Sequence, residues 1–248
     1  MKKVRLIMGM PIEIEIVSPG QADIFEKVFD YLSAVDRRFS TYKEDSEISR
    51  LNRGELNLES VSNDMHDVFA LAEKTKKETG GYFDIRRPDG LVDPSGIVKG
   101  WAIRNTAALI RSEGYENYFV NAGGDIAMSG KNSEGEDWSV GIRNPFNSNE
   151  IVKVVYPRGK GIATSGSYIR GDHIYNPHAP DQNIKEIVSL TVIGPDVLEA
   201  DRFATAAFAM EKKGIVFIEN LPGFEGYMID AEGIATMTSG FTHYVESR

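Results

Sequence analysis

The spacing of hydrophobic positions divides the chain into segments of different period. Ile12, Ile14 and Ile16 alternate with Glu13 and Glu15, so residues 4–17 are predicted to form a strand with one wet face. Ser18-Pro19-Gly20 breaks that pattern, and residues 21–38 then place Ile24, Val28, Leu32 and Val35 at helical spacing. Residues 39–60 are polar and irregular. A second amphipathic helix is predicted over residues 63–79, with Met65, Val68, Phe69 and Ala72 on one face and Gly80-Gly81 as its stop. After a loop rich in Gly, Pro and Asp, residues 99–112 carry Trp101, Ala102, Ala108, Leu109 and Ile110 on a third helix, ended by Gly114.

The period then changes to two. Short apolar runs at 118–120, 138–142, 151–156 and 161–164, separated by turn residues, predict neighbouring antiparallel strands, and residues 187–193 predict one more. Residues 195–210, with Leu198, Phe203, Ala206 and Met210, read as a last helix, and the tail reads as short strands between Gly turns. Helices cluster early and strands in the middle, with no repeat and no linker rich in Pro, Gly or Ser. That order predicts an α+β fold in which residues 1–248 form a single compact domain, a mixed or antiparallel β-sheet core with flanking helices.

Composition narrows the function. The 248 residues are 41% hydrophobic and 26% charged, the profile of a folded protein. With 28 Lys+Arg against 37 Asp+Glu the net charge is −9, which argues against a nucleic-acid partner and requires any anionic ligand to be held by local means. The chain has no cysteine, so disulfides, thiolate metal sites and Cys nucleophiles are excluded. Met1-Lys2-Lys3 starts as a signal peptide would, but the apolar run that follows is too short for one, and no stretch approaches ~18 apolar residues. The expectation is a cytoplasmic protein without membrane insertion. Neither a dinucleotide-binding glycine fingerprint nor a P-loop is present.

Four short segments are dense in chemistry. Asp93-Pro94-Ser95-Gly96-Ile97-Val98-Lys99-Gly100 is a turn leading into a helix, where either helix capping by Asp93 or Ser95 or an anion site built from amides and Lys99 fits. Asn121-Ala122-Gly123-Gly124-Asp125 follows an apolar strand; it is a plain turn or a place where backbone approaches a ligand, with Asp125 orienting the loop. Thr164-Ser165-Gly166-Ser167-Tyr168-Ile169-Arg170, followed by His173-Ile174-Tyr175-Asn176-Pro177, supplies hydroxyls and a histidine. His173 is the strongest acid–base candidate, since His66, His178 and His243 lie in less promising surroundings. In Glu199-Ala200-Asp201-Arg202-Phe203-Ala204-Thr205, Asp201 and Thr205 stand one helical turn apart. They form an oxygen-only pair suited to Mg²⁺, unless Thr205 bonds back to carbonyl 201 and Asp201 faces solvent.

In this order the segments resemble the FAD:protein FMN transferases of the ApbE type. The resemblance also draws on Met8-Gly9-Met10, Phe39-Ser40-Thr41-Tyr42, Ser46 to Asn52 and Gly81-Tyr82-Phe83-Asp84, so it spans nearly the whole chain. It implies an ApbE/T-fold-like architecture and Mg²⁺-dependent transfer of the FMN half of FAD to a Thr or Ser hydroxyl of a client flavoprotein, with release of AMP. It implies metal ligation by Asp201, Thr205 and the carbonyl of Gly96, with Ala204 close by. Met8, Tyr42, Tyr82, Phe83, Asp84, Asp93, Lys99 and Ile174 would bind FAD, and His173 would move the proton beside Asp201 in catalysis. An FAD pyrophosphatase that uses water, and an FAD-binding protein without catalysis, are the alternatives. The chain departs from the pattern in the short stretch between Asp84 and Asp93, in Met10 where Thr is commoner, and in Arg86 at a usually neutral position. These features match a short cytoplasmic subgroup.

Overall fold

A computed structural model describes residues 1–18, 23–166 and 174–245. Its centre is an eight-stranded sheet of order β1-β2-β3-β4-β7-β8-β9-β10, antiparallel at every step. The strands are β1 (Lys2–Ile7), β2 (Met10–Ile16), β3 (Tyr118–Ala122), β4 (Asp125–Ser129), β7 (Gly161–Gly166), β8 (Ile187–Gly194), β9 (Glu225–Asp230) and β10 (Ala235–Met237). A separate pair, β5 (Val140–Asn144) and β6 (Asn147–Val155), forms its own two-stranded sheet.

The helices are α1 (Asp23–Phe39), α2 (Glu47–Asn52), α3 (Asn63–Glu78), α4 (Ser95–Ser112), α5 (Val197–Ala209) and α6 (Lys213–Glu219). The predicted stripes largely find a place in the core, except that on α4 Ala108 is exposed and Leu109 half-buried while Ile103, Thr106 and Ala107 are buried with Trp101, Ala102 and Ile110. Ile24, Val28, Leu32 and Val35 of α1 are buried with Met65 and Val68 of α3 and Ile12 and Ile14 of β2 in one cluster. A second cluster joins α5 and α6 to β7, β8 and β9. The opposite face of the sheet packs Ile126, Met128 and Ile162 against Trp138, Val140, Ile142 and Val155 of the β5–β6 region, and Phe241 closes that layer. Strand β8 lies between two covered faces, which is why its run Ile187 to Ile193 is buried at nearly every position and apolar except at Ser189 and Thr191.

Five predictions change. Residues 4–17 form a hairpin and not one strand: β1 and β2 pair from Lys2↔Glu15 to Ile7↔Met10 around Met8 and Gly9, whose φ angles are 56° and 73°. The period-two pattern runs on through the reversal, so alternation did not show it. Residues 39–60 contain α2, capped by the Ser46 side chain, which accepts from the Ser49 amide. The runs at 138–142 and 151–156 are antiparallel neighbours as predicted, Val140 pairing with Val155 and Ile142 with Lys153, but they form a sheet of their own and do not join β3 or β7. Asp125 opens a strand where only a turn was read, and α6 interrupts a tail read as strands. Among the described residues no helix is long and apolar enough to cross a membrane.

Candidate active site

A cleft of about 1070 Å³ opens where the N-terminal end of α4 meets α5, β3–β4, β7 and the β5–β6 hairpin. Its floor is set by two helices in unusually close contact. The Gly100 amide of α4 donates to Asp201 Oδ2 of α5 at 2.7 Å, and one turn away the Thr205 hydroxyl donates to the Gly96 carbonyl at 3.4 Å. Such proximity needs glycine at both positions of α4. A Cβ on Gly100 would stand 2.7 Å from the Cβ of Asp201, and one on Gly96 would stand 3.2 Å from the Phe83 ring and 3.3 Å from Thr205 Cγ2.

Asp201 is buried, and burial raises its carboxyl above the usual carboxylate range; the Lys99 ammonium opposes that rise, and the Asp125 carboxylate adds to it. Lys99, one residue before Gly100, lies 2.7 Å from Asp125 Oδ2 and 3.7 Å from Asp201 Oδ1. Asp125 is itself buried, and its Oδ1 accepts from the Thr164 amide at 3.1 Å. The Arg202 guanidinium beside Asp201 is buried over the Phe203 ring and bound to Glu199, Glu78 and Thr75, which ties α5 to the end of α3. Asp201 Oδ1, the Thr205 hydroxyl and the Gly96 carbonyl are hard oxygen donors with one formal negative charge among them. That donor set fits a small divalent cation such as Mg²⁺.

The α4 entry is shaped by Asp93, whose side chain accepts from the Ser95 amide at 3.0 Å, while Pro94 at the helix cap makes no side-chain capping bond. The short stretch between Asp84 and Asp93 is a tight hairpin, with Arg86 bridged to Val92 and the Asp93 amide donating to Ile85 O at 2.8 Å. Asp84 at its base pairs with Lys76 at 2.6 Å and accepts from the Arg86 amide.

Of the residues expected to bind FAD, Tyr82, Phe83, Asp84, Asp93, Lys99 and Ile174 line the cleft, and Tyr42 stands 97% exposed at its rim. Met8 does not line it: it occupies the β1–β2 turn and packs on the first core cluster, leaving Gly9 and Met10 as the lining residues. Gly96, Asp201 and Thr205 line the floor, whereas Ala204 is buried in the second core cluster and brings no side-chain donor. His173 lies outside the described residues.

The sequence reading passed over one wall. Tyr175 donates to the Arg86 carbonyl at 3.0 Å, His178 Nε2 lies 3.0 Å from the Gly80 carbonyl, and the His178 ring packs on Tyr82 with centroids 4.6 Å apart. These bonds join residues 89 to 98 apart in the chain, so no local pattern carries them.

With this geometry in view, the similarities to known proteins are specific. The model of the ApbE family matches residues 8–89 and 85–228. The chain is 28% identical to the FAD:protein FMN transferase of Escherichia coli (strain K12), covering 86% of this chain and 78% of that protein. It is 25% identical to the one from Haemophilus influenzae, over 90% and 84%. Among solved structures, the flavin transferase ApbE from Vibrio cholerae superposes with a TM-score of 0.86 at 25% identity, covering 98% of both chains. The ApbE protein from Thermotoga maritima gives 0.89 at 20% identity, a likeness of fold.

Proposed function

The chain belongs to the ApbE family, and from that premise we propose that residues 1–248 act as one FAD:protein FMN transferase domain. The reaction would move the FMN half of FAD to a Thr or Ser hydroxyl of a client flavoprotein and release AMP. The observation that carries this reading is that Lys99, Asp201, Thr205 and Gly96 line the floor of one cleft whose wall carries Tyr82 and Phe83.

Each group has a task in that chemistry. Lys99 lines the cleft floor, but its ammonium is already paired with Asp125 at 2.7 Å, so the positive charge a pyrophosphate needs in this net −9 chain would come chiefly from a bound cation. Tyr82 and Phe83 offer ring surface to the flavin or the adenine, and Tyr42 extends that surface at the rim. Asp201, Thr205 and the Gly96 carbonyl would hold Mg²⁺, which when bound supplies Lewis acidity at the pyrophosphate and orients it for in-line displacement. The acceptor oxygen bonds to the FMN-side phosphorus as the bond from that phosphorus to the bridging oxygen breaks. AMP leaves with the bridging oxygen, and the hydroxyl proton passes to a base, the part the family resemblance gives to His173.

The test is incubation of the full chain with FAD, MgCl₂ and a purified flavoprotein domain bearing a Thr or Ser acceptor, followed by denaturing electrophoresis and mass spectrometry. The expected result is flavin fluorescence on the acceptor that survives denaturation, with the mass of one added FMN. FMN and AMP released at the same rate without acceptor would make the protein a pyrophosphatase. FAD recovered intact would leave only a binding function.

A further inference from the structure

Asp125 is a buried carboxylate at the start of β4, directly after the Gly123-Gly124 turn that lines the cleft. Its two oxygens have different partners. Oδ1 accepts from the Thr164 amide and so joins β4 to β7, while Oδ2 lies against the Lys99 ammonium at 2.7 Å. The same ammonium stands 3.7 Å from Asp201 Oδ1, beyond direct hydrogen-bond distance. Asp201 Oδ2 accepts from the Gly100 amide, and Oδ1, on the Lys99 side, is the oxygen proposed to face a cation.

This ordering has a chemical consequence. Attraction between opposite charges falls with distance, so of these two carboxylates the nearer, Asp125, holds the ammonium more strongly. Without the charge on Asp125, the Lys99 ammonium would be drawn onto Asp201 Oδ1 and would compete there with a metal ion. We propose that Asp125 is a positioning residue that holds the Lys99 ammonium away from Asp201, keeping Oδ1 available to a divalent cation and the ammonium at the cleft floor. This rests on the reading of Asp201 as a cation ligand. Asp125 also acts on Asp201 directly, its charge and hydrogen bond favouring the protonated carboxyl, so loss of that direct effect would tighten cation binding, opposite in sign to the loss expected through Lys99. A purely structural Asp125 would act through its bond to the Thr164 amide, which an asparagine can make equally well. Asp125→Asn therefore separates the two roles: it keeps the acceptor for Thr164 and removes the charge that holds Lys99.

The experiment is titration of the purified full chain, without FAD, with Mn²⁺ followed by electron paramagnetic resonance, while circular dichroism confirms the fold. Asp125→Asn should weaken Mn²⁺ binding by about tenfold or more, and adding Lys99→Met should restore it to within about threefold of the wild type. If Asp125→Asn does not fold, Lys99→Met is compared with Asp125→Asn/Lys99→Met, and the double variant is expected to bind Mn²⁺ at least as tightly, because without Lys99 only the direct effect of Asp125 on Asp201 is left. Wild-type affinity in folded Asp125→Asn, or weaker binding by the double variant than by Lys99→Met, would overturn the inference. A wild-type chain that does not bind Mn²⁺ would instead overturn the cation-ligand reading of Asp201, and this inference with it.

Discussion

The Gly100 amide meets Asp201 Oδ2 at 2.7 Å, and the space a Gly100 side chain would need is already taken by the Cβ of Asp201 and, at 3.0 Å, by the Cα of Leu198. Gly96 and Gly100 on α4 face Thr205 and Asp201 on α5, so the two helices pass each other in opposite directions with a glycine at each contact. The proposed ligand oxygens are thereby positioned by helix packing, on rigid elements, and not by a loop.

Gly100→Ala tests that dependence. A methyl group cannot fit without moving Asp201 or the α5 backbone, and overpacking of this kind costs about 1–3 kcal/mol. The expected variant is folded, destabilised by that amount in urea denaturation, and about tenfold or more weaker in Mn²⁺ binding because the carboxylate is displaced. Unchanged stability and affinity would show that the helices have slack at this contact.

Arg202 is expected to dominate the stability of the same region. Its guanidinium is buried, and it is held by Glu199, Glu78 and Thr75 from two helices. Breaking a buried pair by removing one partner costs about 3–5 kcal/mol, and the low end applies because Glu78 and Glu199 keep part of their surface in water. Arg202→Met should lose about 3 kcal/mol in urea denaturation. Arg202→Lys should recover less than half of it, since an ammonium cannot bridge both glutamates with a planar fork. A loss below about 1 kcal/mol for Arg202→Met would assign the region's stability to apolar packing alone.

These predictions mark what the sequence could reveal. The stripe of α1 was legible because Ile24, Val28, Leu32 and Val35 repeat at helical spacing and are all buried. The Asp201/Thr205 pair was legible because a one-turn step fixes a shared face. Strand partners were not legible, since alternation tells which residues share a face and not which strand lies beside them; β5 and β6 prefer each other for that reason. Arg202 gave no local sign, because Glu78 and Thr75 lie 124 and 127 residues away. Asp125 read as part of a turn because Lys99 and Thr164, which define its environment, sit on different elements.

Alkaline pH should weaken the packing of α1 on α4. Burial pushes the Tyr31 phenol from 10.0 up to about 12, against the opposing hydrogen bond from the Asn105 amide. The unfolded chain releases this proton near its ordinary pKa while the folded chain retains it. The contribution to stability is therefore complete below about pH 10 and is lost as pH rises towards 12. Tyr31→Phe should cost about 1 kcal/mol at neutral pH through the lost hydrogen bond, yet lose stability less steeply above pH 10. Some slope should persist, because burial also raises Tyr118, Tyr175, Tyr227 and Tyr244. Urea denaturation of both proteins at neutral and alkaline pH measures the difference, and parallel curves would remove Tyr31 from the effect.

The wall formed by Tyr175 and His178 gives a prediction that separates binding from chemistry. Tyr175 donates to the Arg86 carbonyl at 3.0 Å and His178 packs on Tyr82, so together they clasp the hairpin and aromatic turn that would receive FAD. Neither touches the floor oxygens through any bond in the structure. Tyr175→Phe removes the hydroxyl that donates to the Arg86 carbonyl at 3.0 Å and, more weakly, to the Asp84 carbonyl at 3.4 Å, a loss of about 1 kcal/mol that keeps the ring, so FAD binding should weaken about fivefold. Transfer at saturating FAD should change by less than about twofold, because an interaction made equally in the ground and transition states alters KM and not kcat. Fluorescence titration with FAD in the absence of acceptor reads the first quantity, and acceptor labelling at saturation reads the second. A fall in kcat with unchanged FAD affinity would mean that Tyr175 meets the reacting groups themselves, and that residues 174–180 belong to the chemistry as well as to the wall.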